Sequence, residues 1–186
     1  MMNRHKLVHI MRAVAAISGE RNFVLVGSAS VLLTSKNIPL AMLNTYEIDV
    51  YSPDAADEDE FSEMIAATIG KGSRFEQTFN YYGDGVSAKT ARMPSDWAGR
   101  AKDMGGLGIE GVSVLVPDID DIAIAKMMAW REKDKDWLRA GVRSQILDPD
   151  AMRRRLPLAP VLDLPKVEVE RRMDAVAAYG QPITPT

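Results

Sequence analysis

The chain has 186 residues, 46% of them hydrophobic, 26% charged and 6% aromatic, which suits one domain with a core of its own and room for a helical appendage. Lys and Arg total 23 against 26 Asp and Glu, a formal net charge of -3, so no global basic field recruits nucleic acid. Cys is absent and the two His residues, His5 and His9, both fall in the first ten positions. That removes disulfides, thiolate zinc sites and cysteine nucleophiles, and nearly excludes a histidine triad or metal cage. Chemistry must run on carboxylates, Lys and Arg, hydroxyls and backbone.

The start of the chain is a poor signal peptide, because Arg12 interrupts its apolar run and no small-residue cleavage site follows. Leu7, Ile10, Met11, Val14 and Ile17 instead fall at helical spacing, and Gly19 closes the segment as a C-cap. No apolar stretch approaches the ~20 residues of a membrane span. The expectation is an amphipathic first helix in a cytoplasmic protein without a membrane anchor.

Phe23–Val26 then reads as a short buried strand stopped by Gly27, with Ser28 capping a helix through about Ser35 and Pro39 ending it. Thr45–Tyr51 alternates Ile48 and Val50 against Glu47 and Asp49, a half-buried strand with both carboxylates on one face. Asp54–Gly70 opens acidic and continues as a helix through Phe61, Met64, Ile65 and Ile69. Phe75–Tyr82 reads as an aromatic strand, Gly83-Asp84-Gly85 as a turn, and Val86–Met93 as its pairing partner. A helical turn begins at Pro94–Trp97, Gly105–Gly108 forms a loop, and Val112–Val116 is the last clear strand. Beyond Pro117, Asp118–Val142, Asp148–Leu156 and Val167–Tyr179 look helical, with Pro149 and the stretch Pro157–Pro165 as separators. The fold class is α+β, or mixed α/β, with a core over residues 1–116 and a helical C-terminal region over 117–186 packed on it.

The most informative arrangement is Gly27-Ser28 after one strand, followed by Glu47-x-Asp49 on the next. A glycine–serine pair opening a helix presents backbone N–H groups and a hydroxyl to a phosphate, aided by the helix dipole. Two carboxylates at i and i+2 converge on one spot, where a hard cation such as Mg²⁺ offsets their repulsion. Together they describe a triphosphate cradle beside a metal clamp, the layout of nucleotidyl transfer. The plainer alternative is a tight turn next to a solvated strand face.

These segments resemble the DUF6036 group of nucleotidyltransferase-like proteins, within the polymerase-beta-type superfamily that also holds AbiEii-type toxin–antitoxin components. Val26–Ala29 with Glu47–Asp54 carries the first part of the resemblance. Tyr81–Val86 leading through Thr90-Ala91 into Pro94–Trp97 and Arg100 carries the second, and Ala125–Asp134 continuing to Leu147–Pro149 the third. The resemblance implies a small mixed sheet flanked by helices, with Gly27 and Ser28 at the phosphates of an NTP and Glu47 and Asp49 holding Mg²⁺. The superfamily more often has Asp at the first acidic position, and its active members use a third carboxylate on a later strand. Here the candidate strand Val86–Ala91 carries none, and nothing in the spacing selects between Asp84 and Glu110 as a substitute.

Ile122, Lys126, Trp130 and Lys133 fall on one helical stripe, so Lys126 can meet a phosphate as a point charge. The resemblance places Lys126 near the triphosphate, with Arg131, Lys133 and Asp134 shaping the same wall. A snorkelling lysine among surface ion pairs is the ordinary alternative. Other candidates have plain structural readings: Pro94, Trp97 and Arg100 as a packing corner, and Arg153–Arg155 as charges that complement a helix dipole. Asp57–Glu60 reads as a helix N-terminus, His5 and His9 as one turn of the first helix, and Tyr81-Tyr82 as strand core.

The leading expectation is a Mg²⁺-dependent protein that binds an NTP and transfers its nucleoside monophosphate to an RNA or protein hydroxyl. Glu47, Asp49 and Lys126 are then the catalytic residues, and Gly27, Ser28, Arg131, Lys133 and Asp134 bind the nucleotide. The alternatives are a catalytically silent partner of a toxin–antitoxin pair and a nucleotide sensor that binds without turnover. The lack of a third carboxylate favours the silent form.

Overall fold

Alternation along the first strand, β1 (Asn22–Val26), feeds two separate cores: Phe23 and Leu25 point to one side and Val24 and Val26 to the other. The computed structural model describes residues 1–160 and 164–181. Within it β1 is central in a five-stranded mixed sheet. Its neighbours are β2 (Glu47–Tyr51), antiparallel to it, and β5 (Ser113–Val116), parallel to it. The sheet is completed by β3 (Tyr82–Gly85) beside β2 and a two-residue β4 (Lys102–Asp103) beside β5. The fold is the expected α+β arrangement with helices toward the C-terminal end.

One face of the sheet is covered by α1 (Arg4–Ser18) and α3 (Glu58–Ile69). Their Leu7, Ile10, Val14, Phe61 and Ile65 pack on Leu25, Ile48, Val50 and Val114. α1 is capped by Asn3, whose side chain accepts the Lys6 N–H, and closed by Gly19 in the left-handed region. α3 starts at Glu58, later than its acidic prelude suggests, because Asp57 is the residue that caps it, accepting from the N–H groups of Asp59 and Glu60.

The opposite face is covered by α5 (Ile119–Ala129), α6 (Glu132–Arg143), α7 (Pro149–Arg155) and α8 (Lys166–Ala178), which share a core with Val24, Val26 and Tyr51. The expected single helix over 118–142 is two. Trp130 takes a left-handed backbone (φ 55) and closes α5, and Arg131 opens α6. The expected stripe therefore breaks, and Lys133 belongs to a different helix from Lys126. Part of the Pro157–Pro165 separator, residues 161–163, lies outside the described residues. Among the described residues, no helix is long and apolar enough to cross a membrane.

Four further expectations are corrected. Phe75–Tyr82 is no strand: α4 (Arg74–Phe79) is a helix capped by Ser73, and its aromatics cluster with His9 and Tyr81. Gly83-Asp84-Gly85 is no turn but the body of β3, and Val86–Met93 does not pair with it, since Ala88–Ala91 is a 3-10 turn. The two glycines are there for space. A Cβ at Gly85 would meet the Ser62 Cα at 2.7 Å, and one at Gly83 would meet the Ile69 Cδ1 at 2.8 Å. Finally, Ser28 caps nothing: Ser28–Ser30 is a 3-10 turn, followed by a short α2 (Val31–Thr34) that ends before Pro39.

Candidate functional site

Gly27 ends β1 with φ 74, a conformation open to glycine at no steric cost, and so turns the chain toward Ser28. The β1–β2 register pairs Val26 with Asp49, which sets the bend beside that carboxylate. A Cβ on residue 27 would lie 1.8 Å from Asp49 Oδ2, so glycine is required twice over, by backbone and by space.

Glu47 and Asp49 share the face of β2 opposite Ile48 and Val50, as period two dictates. The parallel register of β2 and β3 pairs Asp49 with Asp84 and Glu47 with Tyr82. Asp84, on the strand read as a turn, is therefore a further carboxylate beside Glu47 and Asp49. All three acids, with Gly27 and Ser28, line one cavity of about 490 Å³. Burial first, and then the Glu47 charge, push the Asp49 carboxyl up to about 7, with Asp84 adding to the effect against the opposing pull of Lys126. Burial and Glu47 raise Asp84 as well. Glu47 goes the other way: burial would raise it, but a hydrogen bond from the Tyr82 hydroxyl (2.5 Å) and the Lys133 ammonium (3.0 Å) outweigh that and lower it.

The cations arrive from the other side of the cavity. Lys126, 7% exposed, reaches down from α5 so that its Nζ donates to Ser28 Oγ at 2.7 Å. Burial lowers its pKa, while Asp134 and Asp49 pull it back up. Behind it stands Asp134 at 0% exposure, 3.3 Å from Lys126 Nζ and 2.7 Å from Arg131 Nε. The left-handed Trp130 produces this return, because its N–H closes α5 on the Lys126 carbonyl just before the first turn of α6 brings Asp134 back. Burial would push the Asp134 carboxyl up, but Arg131 and Lys126 hold it below the usual range. Arg131 and Lys133 line the cavity; Asp134 does not, and supports Lys126 from behind.

No set of three His, Cys, Asp or Glu side chains stands together as a finished metal cage among the described residues. Both Glu47 oxygens are engaged, one by Tyr82 and the other by Lys133. The donor chemistry nevertheless fits Mg²⁺, which binds through one or two carboxylates and completes its shell with water and phosphate oxygens. A carboxyl such as Asp49, raised by burial and by the Glu47 and Asp84 charges beside it, is what a hard cation relieves.

Lys126, Gly27, Ser28, Glu47, Asp49, Arg131 and Lys133 are thus brought together as the sequence suggested. Sequence reasoning read Tyr82 as strand core, overlooked Arg92, which also lines the first cavity, and left Asp84 unselected. The signal for β3 was Tyr82-x-Asp84, the same two-residue period as Glu47-x-Asp49, hidden by the glycines. The remaining candidates are structural. His9 Nδ1 pairs with the Tyr81 hydroxyl at 2.7 Å, and Arg100 bridges Asp96 and Asp121. Arg155 joins Asp118 and Asp121, while Arg153 meets Asp174.

One family model matches residues 5–179, and its description is DUF6036, a nucleotidyltransferase of unknown function. Searches of curated proteins and of solved structures found no match.

Proposed function

The chain belongs to the DUF6036 family of nucleotidyltransferases, and from that premise we propose that it binds an NTP with Mg²⁺ and transfers the nucleoside monophosphate to a hydroxyl on RNA or protein. One observation carries the reading. Three carboxylates from two paired strands face a glycine–serine bend across a single cavity, and a buried lysine is bonded to that serine.

In this reading Glu47 and Asp49 hold the metal, which when bound offsets charge on the phosphates. The bend at Gly27 admits the phosphate chain close to backbone, and Ser28 with Lys126 binds its oxygens. The helix after the bend is short, so Lys126 supplies most of the positive field there. Arg131 and Lys133 flank the outer phosphates from α6. The acceptor oxygen attacks the α-phosphorus and forms the new P–O bond as the α–β anhydride bond breaks. Pyrophosphate leaves with the electron pair, its charge met by Lys126. The acceptor proton passes to Asp84, whose raised proton affinity suits a base.

A silent toxin–antitoxin partner, or a sensor, remains the second reading, and the Lys133–Glu47 ion pair at 3.0 Å favours it because it engages a metal ligand. The argument for it from a missing third carboxylate is weakened by Asp84, which lines the same cavity as Glu47 and Asp49. Incubation with Mg²⁺ and each α-labelled NTP, plus total RNA or protein, separates the two. Label transferred by the wild type and lost in Asp49→Asn supports the enzyme; label transferred equally by both refutes the assignment.

A further inference from the structure

A second hollow of about 790 Å³ opens beside the first and shares Glu47 and Lys133 with it. The two hollows lie in a row along one face of the sheet. On β2, Glu47 borders both and Asp49 the first alone; on β3, Tyr82 borders the second and Asp84 the first. Positions two apart on a strand are separated by about 7 Å. A group seated in the second hollow therefore meets the acid cluster at Glu47, one strand period from the Asp49–Asp84 pair.

We propose that this second hollow is the acceptor site and that it takes a nucleotide unit: a base, a sugar with a free hydroxyl, and one phosphate. The proposal rests on the nucleotidyl-transfer reading above. Tyr46 is 53% exposed on the rim and offers a bare aromatic face, the platform on which a base stacks. Asn44 and Asn80, also exposed, supply amide donors and acceptors for a base edge. The hollow's two carboxylates are already engaged, Glu76 by the Gly72 N–H at 2.6 Å and Glu47 by Tyr82 and Lys133. Lys71, exposed and engaged by neither, is the charge for a single phosphate. With a net charge of -3, the chain has no global basic field to hold a long strand. The ligand is therefore a terminal nucleotide of a strand or a free mononucleotide.

The full chain, with Mg²⁺ and a non-hydrolysable NTP present to fill the first cavity, is titrated with labelled single-stranded tetraribonucleotides and with 5′-mononucleotides. Tyr46→Ala and Lys71→Ala are measured beside it, both at exposed positions and checked by thermal melting. The expected result is probe binding weakened about ten-fold by Tyr46→Ala, and weakened with a shallower salt dependence by Lys71→Ala, while the affinity for the NTP analogue stays unchanged. Tighter binding of the tetranucleotide assigns a strand end; equal binding assigns a free mononucleotide. Failure of both probes to bind, wild-type affinity in both variants, or Tyr46-dependent binding of a serine-bearing peptide instead would overturn the proposal. If the NTP analogue alone fails to bind, the transfer reading falls, while Tyr46-dependent probe binding still upholds the hollow as a nucleotide site.

Discussion

The carboxylate of Asp49 occupies the space in which a side chain on residue 27 would have to sit, with its Oδ2 1.8 Å from that position. The bend and the acid are therefore one unit: the sheet register sets Asp49 beside the bend, and the bend's lack of a side chain leaves that acid facing the cavity.

Gly27→Ala should lose both fold stability and function. The backbone at residue 27 (φ 74, ψ -166) lies in a region essentially reserved for glycine and costs about 1–3 kcal/mol for a residue with a Cβ, and the displaced carboxylate adds to it. Urea unfolding should show a loss of about 2 kcal/mol or more, accompanied by loss of nucleotide binding under conditions where the variant is still folded. Wild-type nucleotide affinity in a folded Gly27→Ala protein would separate the bend from the site.

Asp49 also links the site to pH. Its carboxyl is raised to about 7 in the folded chain, above its value in an unfolded one. The native state therefore holds a proton that the unfolded state releases, and stability falls as pH climbs from about 4 to about 7. Asp49→Asn removes this decline. Without Mg²⁺ the variant should gain on the wild type by about 3 kcal/mol between pH 5 and pH 8, at about 1.4 kcal/mol per unit up to the folded value. Chemical denaturation at the two pH values measures the difference, and added Mg²⁺ should narrow it for the wild type only.

Lys126 and Asp134 should part company under substitution. Asp134→Asn leaves Arg131 and buried Lys126 without their shared anion, and breaking a buried pair costs about 3–5 kcal/mol. Lys126→Met leaves Asp134 paired with Arg131, so folding changes by about 1 kcal/mol or less while the phosphate contact disappears. Unfolding curves and nucleotide titrations on both variants check this. Equal destabilisation would show that Lys126 is structural.

Tyr82→Phe removes a hydroxyl that donates to Glu47 at 2.5 Å and helps hold that carboxyl below its ordinary range. Glu47 should then take up a proton more readily, and the acidic limb of the kcat/KM profile should move to higher pH. A fall in rate with an unmoved limb would assign Tyr82 a packing role only.

Much of this was legible because burial alternation is strong where it matters. Ile48 and Val50 against Glu47 and Asp49 gave the face of β2, and Phe23–Val26 before Gly27 gave β1 and its bend. β3 was hidden for the opposite reason. Its inward positions are glycines, demanded by the approach of α1 and α3, so the apolar half of the pattern is missing and the segment resembles a turn. Phe75 and Phe79 misled in the same region, since their rings pack around His9 at helical spacing. The break at Trp130 carries no sequence signal of the usual kind, being a left-handed tryptophan rather than a glycine. Asp84 could be selected only once β3 was paired with β2.

Calorimetric titration with a non-hydrolysable NTP, with and without Mg²⁺, on the wild type and on Asp49→Asn tests the central assignment most directly. The account predicts tight binding that requires Mg²⁺ in the wild type and a variant in which Mg²⁺ no longer helps. Binding that ignores Mg²⁺ in both proteins, or that responds to it equally in both, would contradict it.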